Sequence, residues 1–163
     1  MPKAKAHTPK HSPPSRSWMM AQVRSTDTEP ERQVRSWLWR HGFRFRRHVK
    51  GLPGAPDIVL PKYKTVIDVR GCFWHRHPEC KIATMPKSHS KFWWKKFNAN
   101  VARDIDTEKA LKALGWNVIV LWECEISEQA LRDIEKTLLS LSLKKIRYDT
   151  IENENDLLYA AEE

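Results

Sequence analysis

Between Gly51 and Cys80 the chain brings acids, two guanidiniums, two imidazoles and two thiols into one short run, GLPGAPDIVLPKYKTVIDVRGCFWHRHPEC. Its first part reads as two strands, Asp57–Leu60 and Thr65–Arg70, joined by a turn at Pro61–Lys64. Strand side chains alternate, so Val66, Asp68 and Arg70 share one face of the second strand and Thr65, Ile67 and Val69 the other. Burying Asp68 or Arg70 unpaired would cost several kcal/mol, so they must pair with each other or serve a metal. Pro56-Asp57 opens the preceding strand and sets a second carboxylate where it can stand beside Asp68. Two carboxylates, a cation and Mg²⁺ are the means of hydrolysing a phosphodiester: acid oxygens hold the metal, which ties down a phosphate oxygen and lowers the pKa of a water.

The stretch then changes chemistry. Cys72, His77 and Cys80 lie within nine positions, and Cys124 follows in Trp122-Glu123-Cys124. A Cys₃His set suits a closed, tetrahedral, structural zinc, the distant fourth ligand stapling this segment to a later strand. Three ordinary buried cysteines is the competing reading. With His77 given to zinc, His75 is the imidazole left for acid–base work.

Several elements must position these groups. Thr28 and Glu31 form a capping box that starts a helix, with Pro30 in its first turn, a buried stripe of Val34, Trp37 and Leu38, and His41-Gly42 at its end. Glu31 therefore has a structural task as well as a possible place at the site. Phe43–Val49 alternates apolar and basic residues and reads as a strand. Lys81–Ser90 is a basic loop. From Phe92 to about Leu114 runs a long helix, with Phe97, Val101 and Ile105 as its expected core stripe and with Asn100 and Asp104 one turn apart on a neighbouring face. Asp104 either pairs with Arg103 or Lys95 or orients His75, as a carboxylate does when imidazole acts as a base. Trp116–Trp122 is a buried strand, and Ser127 caps a last helix with a stripe of Leu131, Ile134, Leu138 and Leu141. One leading helix, three strands, a helix, a strand and a helix give an α/β fold, a mixed central sheet flanked by helices.

Composition narrows the partner. With 163 residues the chain suits a single core, and 29 Lys+Arg against 20 Asp+Glu leave a formal net charge of +9, which favours a polyanion, nucleic acid before an anionic membrane surface. No apolar run approaches the ~20 residues of a membrane span, and the N-terminus lacks the apolar stretch of a signal peptide. Three cysteines at metal-like spacing suit a reducing compartment, the cytoplasm. Residues 1–15 are basic and Pro-rich and read as a disordered tail, 16–143 as the domain, and 144–163, mixed and finally acidic, as an extension of unknown role.

Pro56-Asp57, a spacer and Asp68-x-Arg70 resemble the PD-(D/E)xK nuclease signature, with Arg70 where Lys is usual. The match sharpens with PGAPD, GCFWH, FWxxKxxxNVxRD and GWNVIVLWEC, which resemble the very-short-patch repair (Vsr-type) endonucleases, bacterial enzymes that nick DNA at T:G mismatches. The resemblance runs from about Arg16 to Cys124. It implies a restriction-endonuclease-like fold, Mg²⁺ on Asp57 with the backbone carbonyl of Val69 as second ligand, and a first-helix Glu31 facing the metal. It also implies that Phe73, Trp74 and Trp93 wedge into the base stack, that Asn100 contacts DNA, and that the segment with Arg16, Trp18, Met19, Met20 and Arg24 closes over the duplex. Known members carry an aromatic residue and a histidine where this chain has Asp68 and Arg70, so Asp68 becomes a candidate direct ligand, and Arg70 a cation for the charge on the reacting phosphate. The expected catalytic set is Asp57, Asp68, Arg70, His75, Asp104 and Glu31. The expected partner is mismatched double-stranded DNA bound by a monomer, with repair proteins of the MutL type downstream. Two rivals stay open: a restriction-like nuclease needing no mismatch, and a zinc-stapled DNA-binding module without catalysis.

Overall fold

The computed structural model describes residues 26–143. The expectations for 1–15, for Arg16, Trp18, Met19, Met20 and Arg24, and for 144–163 lie outside the described residues. Helix α1, Glu29–Arg40, begins at the expected capping box, in which Thr28 and Glu31 satisfy each other's end of the turn. Its stripe of Val34, Trp37 and Leu38 is buried. Strand β1, Ile58–Leu60, leads through a single 3₁₀ turn at Pro61–Tyr63 into β2, Thr65–Arg70. Lys64 closes that turn in the left-handed region at φ 47°.

β1 and β2 are antiparallel, Ile58 facing Ile67 and Leu60 facing Thr65. β3, Asn117–Trp122, lies parallel to β2 on its other side, Thr65 facing Asn117 and Arg70 facing Trp122. The sheet order is therefore β1-β2-β3, a mixed sheet. A parallel pair needs a long crossover, and here it holds the short helix α2, Cys72–His75, a loop, and the long helix α3, Ser90–Ala113. Helix α4, 128–143, follows β3, capped by the Ser127 hydroxyl, which accepts the Ala130 N–H at 3.2 Å. One sheet face packs Ile58, Leu60, Ile67 and Leu121 against α1 and α4. The other packs Val59 and Val66 against Leu111 of α3. Among the described residues no helix is long and apolar enough to cross a membrane.

Three expectations are corrected. Phe43–Val49 is not a strand: only Arg46 pairs, in an isolated bridge to Val59, because His48 at φ 44° turns the chain away. Ile105 of α3 is 47% exposed rather than core. The helix instead turns Phe97, Asn100, Asp104, Thr107 and Leu111 inward, a mostly polar face that apolar periodicity cannot detect. Trp37 is buried, but Trp116 and Trp122 are only half-buried.

Candidate active site and metal centre

The face of the sheet under α3 opens at its end into a cleft of about 710 Å³, lined among others by Asp57, Asp68, Arg70, His75, Asp104 and Glu108. Extending the β1–β2 register by one residue sets Asp57 opposite Asp68 on that face. Asp57 Oδ2 accepts the Val69 N–H at 2.9 Å. In an extended strand a residue's N–H and C=O point to the same side, so the Val69 carbonyl is turned toward Asp57 as well. Burial, opposed by that hydrogen bond and reinforced by the charges of Glu31 and Asp68, raises the Asp57 carboxyl to about 7. Acids crowded in this way are a natural set for a divalent cation.

Arg70 does not stand free in the cleft. Its Nε donates to Asp68 Oδ2 at 2.8 Å, its Nη2 lies 3.8 Å from Glu108, and its side chain is 11% exposed. Glu31 is held in the first turn of α1 and also reaches the cleft. Its Oε1 accepts the Thr28 N–H at 3.2 Å and its Oε2 faces Arg35 at 3.2 Å, yet it also lines the cleft. His48 links the two acids, with ring nitrogens 3.8 Å from Glu31 and 4.0 Å from Asp57.

His75 and Asp104 meet across 29 residues of sequence: Nδ1 lies 2.6 Å from Asp104 Oδ2. Neither Arg103 nor Lys95 is paired with Asp104. With Nδ1 bonded to a carboxylate, Nε2 is the ring atom available as a base. A four-residue helix such as α2 is unstable alone, and its neighbours hold it in place. Glu123 Oε1 accepts the Cys72 N–H at 2.9 Å, and Asn100 Nδ2 donates to the Trp74 carbonyl at 3.1 Å.

Just beyond His75, Cys72, His77, Cys80 and Cys124 come together, their ligand atoms all within 4.8 Å of one another. A tetrahedral ion with ~2.3 Å bonds to sulfur and ~2.0 Å to nitrogen has S–S edges of roughly 3.8 Å and S–N edges of roughly 3.5 Å. The edges here are 3.8 Å from Cys80 to Cys124, 3.6 Å from Cys72 to His77, and 3.3 Å from Cys124 to His77. The donor set therefore fits a metal. Nδ1 of His77 faces the sulfurs while Nε2 faces Glu125 at 3.5 Å, and the ring stacks on Trp122 at 4.3 Å, the kind of outer support that fixes a ligating imidazole. Burial pushes the Cys72 thiol up to about 12, whereas the Ile82 backbone N–H draws Cys80 down to about 7. Cys80 is half-buried and Cys124 exposed, unlike three ordinary core cysteines.

Phe73, Trp74 and Trp93 form one half-buried aromatic cluster beside the cleft. Phe73 lies edge-on to Trp74 at 5.1 Å and to the buried Phe97 at 5.1 Å, and Trp93 is 5.5 Å from Phe97. Lys96 sits 5.3 Å over Trp74. Sequence reasoning passed over Glu108, Glu123 and Lys96. Glu108 lies one helical turn beyond Asp104 and Glu123 directly before Cys124, which are the signals that mark them.

The family model for the DNA mismatch endonuclease Vsr matches residues 8–81. The Type II nicking enzyme V.XorIIP of Xanthomonas oryzae pv. oryzae is 51% identical over 121 residues, 74% of this chain and 88% of that one. The Type II nicking enzyme V.NmeAIP of Neisseria meningitidis is 46% identical over 116 residues, 71% of this chain and 82% of the relative. The DNA mismatch endonuclease Vsr of Escherichia coli is 39% identical over 126 residues, 77% of each chain.

Proposed function

The chain belongs to the Vsr family of DNA mismatch endonucleases, is thus a DNA endonuclease and a hydrolase, and we propose that it nicks one strand beside a T:G mismatch, as left by deamination of 5-methylcytosine, to start very short patch repair. Membership sets aside the non-catalytic DNA-binding module. The observation that carries the mechanism is the 2.6 Å pairing of His75 with Asp104 in the cleft that also holds Asp57.

In this reading Asp57, the Val69 carbonyl and Asp68 would hold Mg²⁺. Bound there, the ion offsets charge on a phosphate oxygen and makes water more acidic. Asp104 fixes the His75 tautomer, and Nε2 takes the proton of the attacking water while its oxygen forms the new bond to phosphorus and the leaving oxygen departs. Arg70 clamps Asp68 through its 2.8 Å bond and so holds that carboxylate in place. Glu31 adds negative charge next to Asp57 and shapes the wall. Cys72, His77, Cys80 and Cys124 would hold a zinc ion that would tie α2 to the end of β3 and so set the position of His75. Phe73, Trp74 and Trp93 then stack into the helix at the mismatch, where unstacking is least costly, with Asn100 at their side. The chain works as a cytoplasmic monomer in a restriction-endonuclease-like fold, and MutL-type proteins act after it.

Two of the relatives are named Type II nicking enzymes, which favours a second reading, nicking in a set flanking sequence whether or not a mismatch is present. A panel of end-labelled duplexes with T:G or T:A in varied flanks separates the two. Nicking confined to T:G supports the first, and equal nicking of T:A supports the second.

A further inference from the structure

Three strong cations line the cleft, Arg70, Lys96 and Arg103, and their surroundings differ. Arg70 is neutralised by Asp68 at 2.8 Å and faces Glu108 at 3.8 Å. Lys96 lies over the rings of Trp74 and Trp93 at 5.3 and 6.0 Å, committed to the aromatic cluster. Arg103 makes no ion pair or ring contact among the described residues, although Asp104 is its neighbour and Asp106 stands three positions on. Asp104 is instead taken by His75. An exposed guanidinium keeps all five N–H donors free, in the fork that suits two oxygens of one phosphate.

We propose that Arg103 binds a backbone phosphate of the strand that is cut, next to the phosphate that is hydrolysed. The proposal rests on the nuclease reading and goes beyond it by assigning a substrate contact to a residue outside the catalytic set. Asn100, Arg103 and Thr107 line the cleft at a spacing of three and four residues, so they form one row on α3. Arg103 directly precedes the carboxylate that orients His75, a step of ~1.5 Å along the helix axis. One strand of duplex DNA offers a charge every ~3.4 Å of its axis, so a long side chain beginning beside the dyad meets the neighbouring phosphate. The acids around Asp57 leave the reacting centre electronegative until its ion is bound. A cation outside that cluster can hold the strand without competing with the ion.

The test uses the full chain, Arg103→Ala and Arg103→Lys, on a T:G duplex and on the same duplex carrying one uncharged methylphosphonate at each position in turn around the cut. Binding is measured over a range of salt, and nicking as single-turnover rates at saturating protein. Arg103→Ala should raise Kd about ten-fold and lower the slope of log Kd against log salt by about 1. Arg103→Lys should recover part of that loss. At one methylphosphonate position beside the cut, the parent should lose about ten-fold in affinity and Arg103→Ala should lose nothing further. An unchanged Kd and salt slope, or losses that multiply at every position, would overturn the proposal. A parent that nicks none of the duplexes counts against the nuclease reading, and the binding arm then decides Arg103 alone. Ala is a strong helix former at an exposed helical position, so folding is retained in the variant.

Discussion

Asp57 carries a carboxyl raised to about 7 by burial, and the sign of its linkage follows. The folded state holds that proton more tightly than the unfolded chain, so the stability it contributes is complete below about pH 4 and is lost as pH rises to about 7. Asp57→Asn should therefore stabilise the Mg²⁺-free protein at pH 8 by on the order of 1–3 kcal/mol and have little effect at pH 4, read from denaturant midpoints. In the same assay Mg²⁺ at pH 8 should stabilise the parent and not the variant; equal stabilisation of both would place the ion elsewhere. Asp104→Asn breaks the tautomer control of His75. It should lower single-turnover nicking by ~10²- to 10⁴-fold with DNA affinity unchanged, whereas a parallel loss of affinity would mean that Asp104 serves binding. Asp57 and Asp68 were legible because two strands of known period place them opposite each other. The partners of Arg70 were not, since Glu108 reaches it from a helix whose inward face looks solvated in the sequence.

At the scale of elements, Gly54 controls how the PGAPD turn meets α3. Its φ is +70°, and an added Cβ would stand 2.4 Å from Thr107 Cγ2. Gly54→Ala should cost about 1–3 kcal/mol, and adding Thr107→Ala should recover part of it; an unchanged melting temperature in the single variant would show that the turn yields. The proposed metal staple makes a larger demand. Cys124→Ser should lower bound metal, measured by atomic emission, and cost on the order of 2–5 kcal/mol, with nicking lost because α2 and His75 are no longer tied to β3. Retention of both metal and activity would mean that the four ligands do not staple α2 to β3. The Cys/His cluster was legible from spacing. Helix α2 was not, because four residues have no periodicity, and Glu123, Asn100 and Asp104 hold it from far along the chain.

For the whole molecule, the α/β order and mixed sheet followed from patterned segments, while Phe43–Val49 misled because alternation there serves one bridge to Val59 and a basic exposed edge rather than a strand. α3 misled in the opposite sense: it turns half-buried acids and an amide inward because one of its faces is the wall of the cleft. The sheet end thus gathers Asp57, Asp68 and Arg70, α3 supplies Asp104, and α2 brings His75 against Asp104 with the Cys/His cluster beside it. The most direct measurement is the initial rate of Mg²⁺-dependent nicking of matched T:G and T:A duplexes by the parent and by Asp57→Ala. Nicking of the T:G duplex alone is predicted, abolished in Asp57→Ala with DNA binding retained; equal nicking of T:A would contradict mismatch recognition, and undiminished nicking by Asp57→Ala would contradict the assigned metal site.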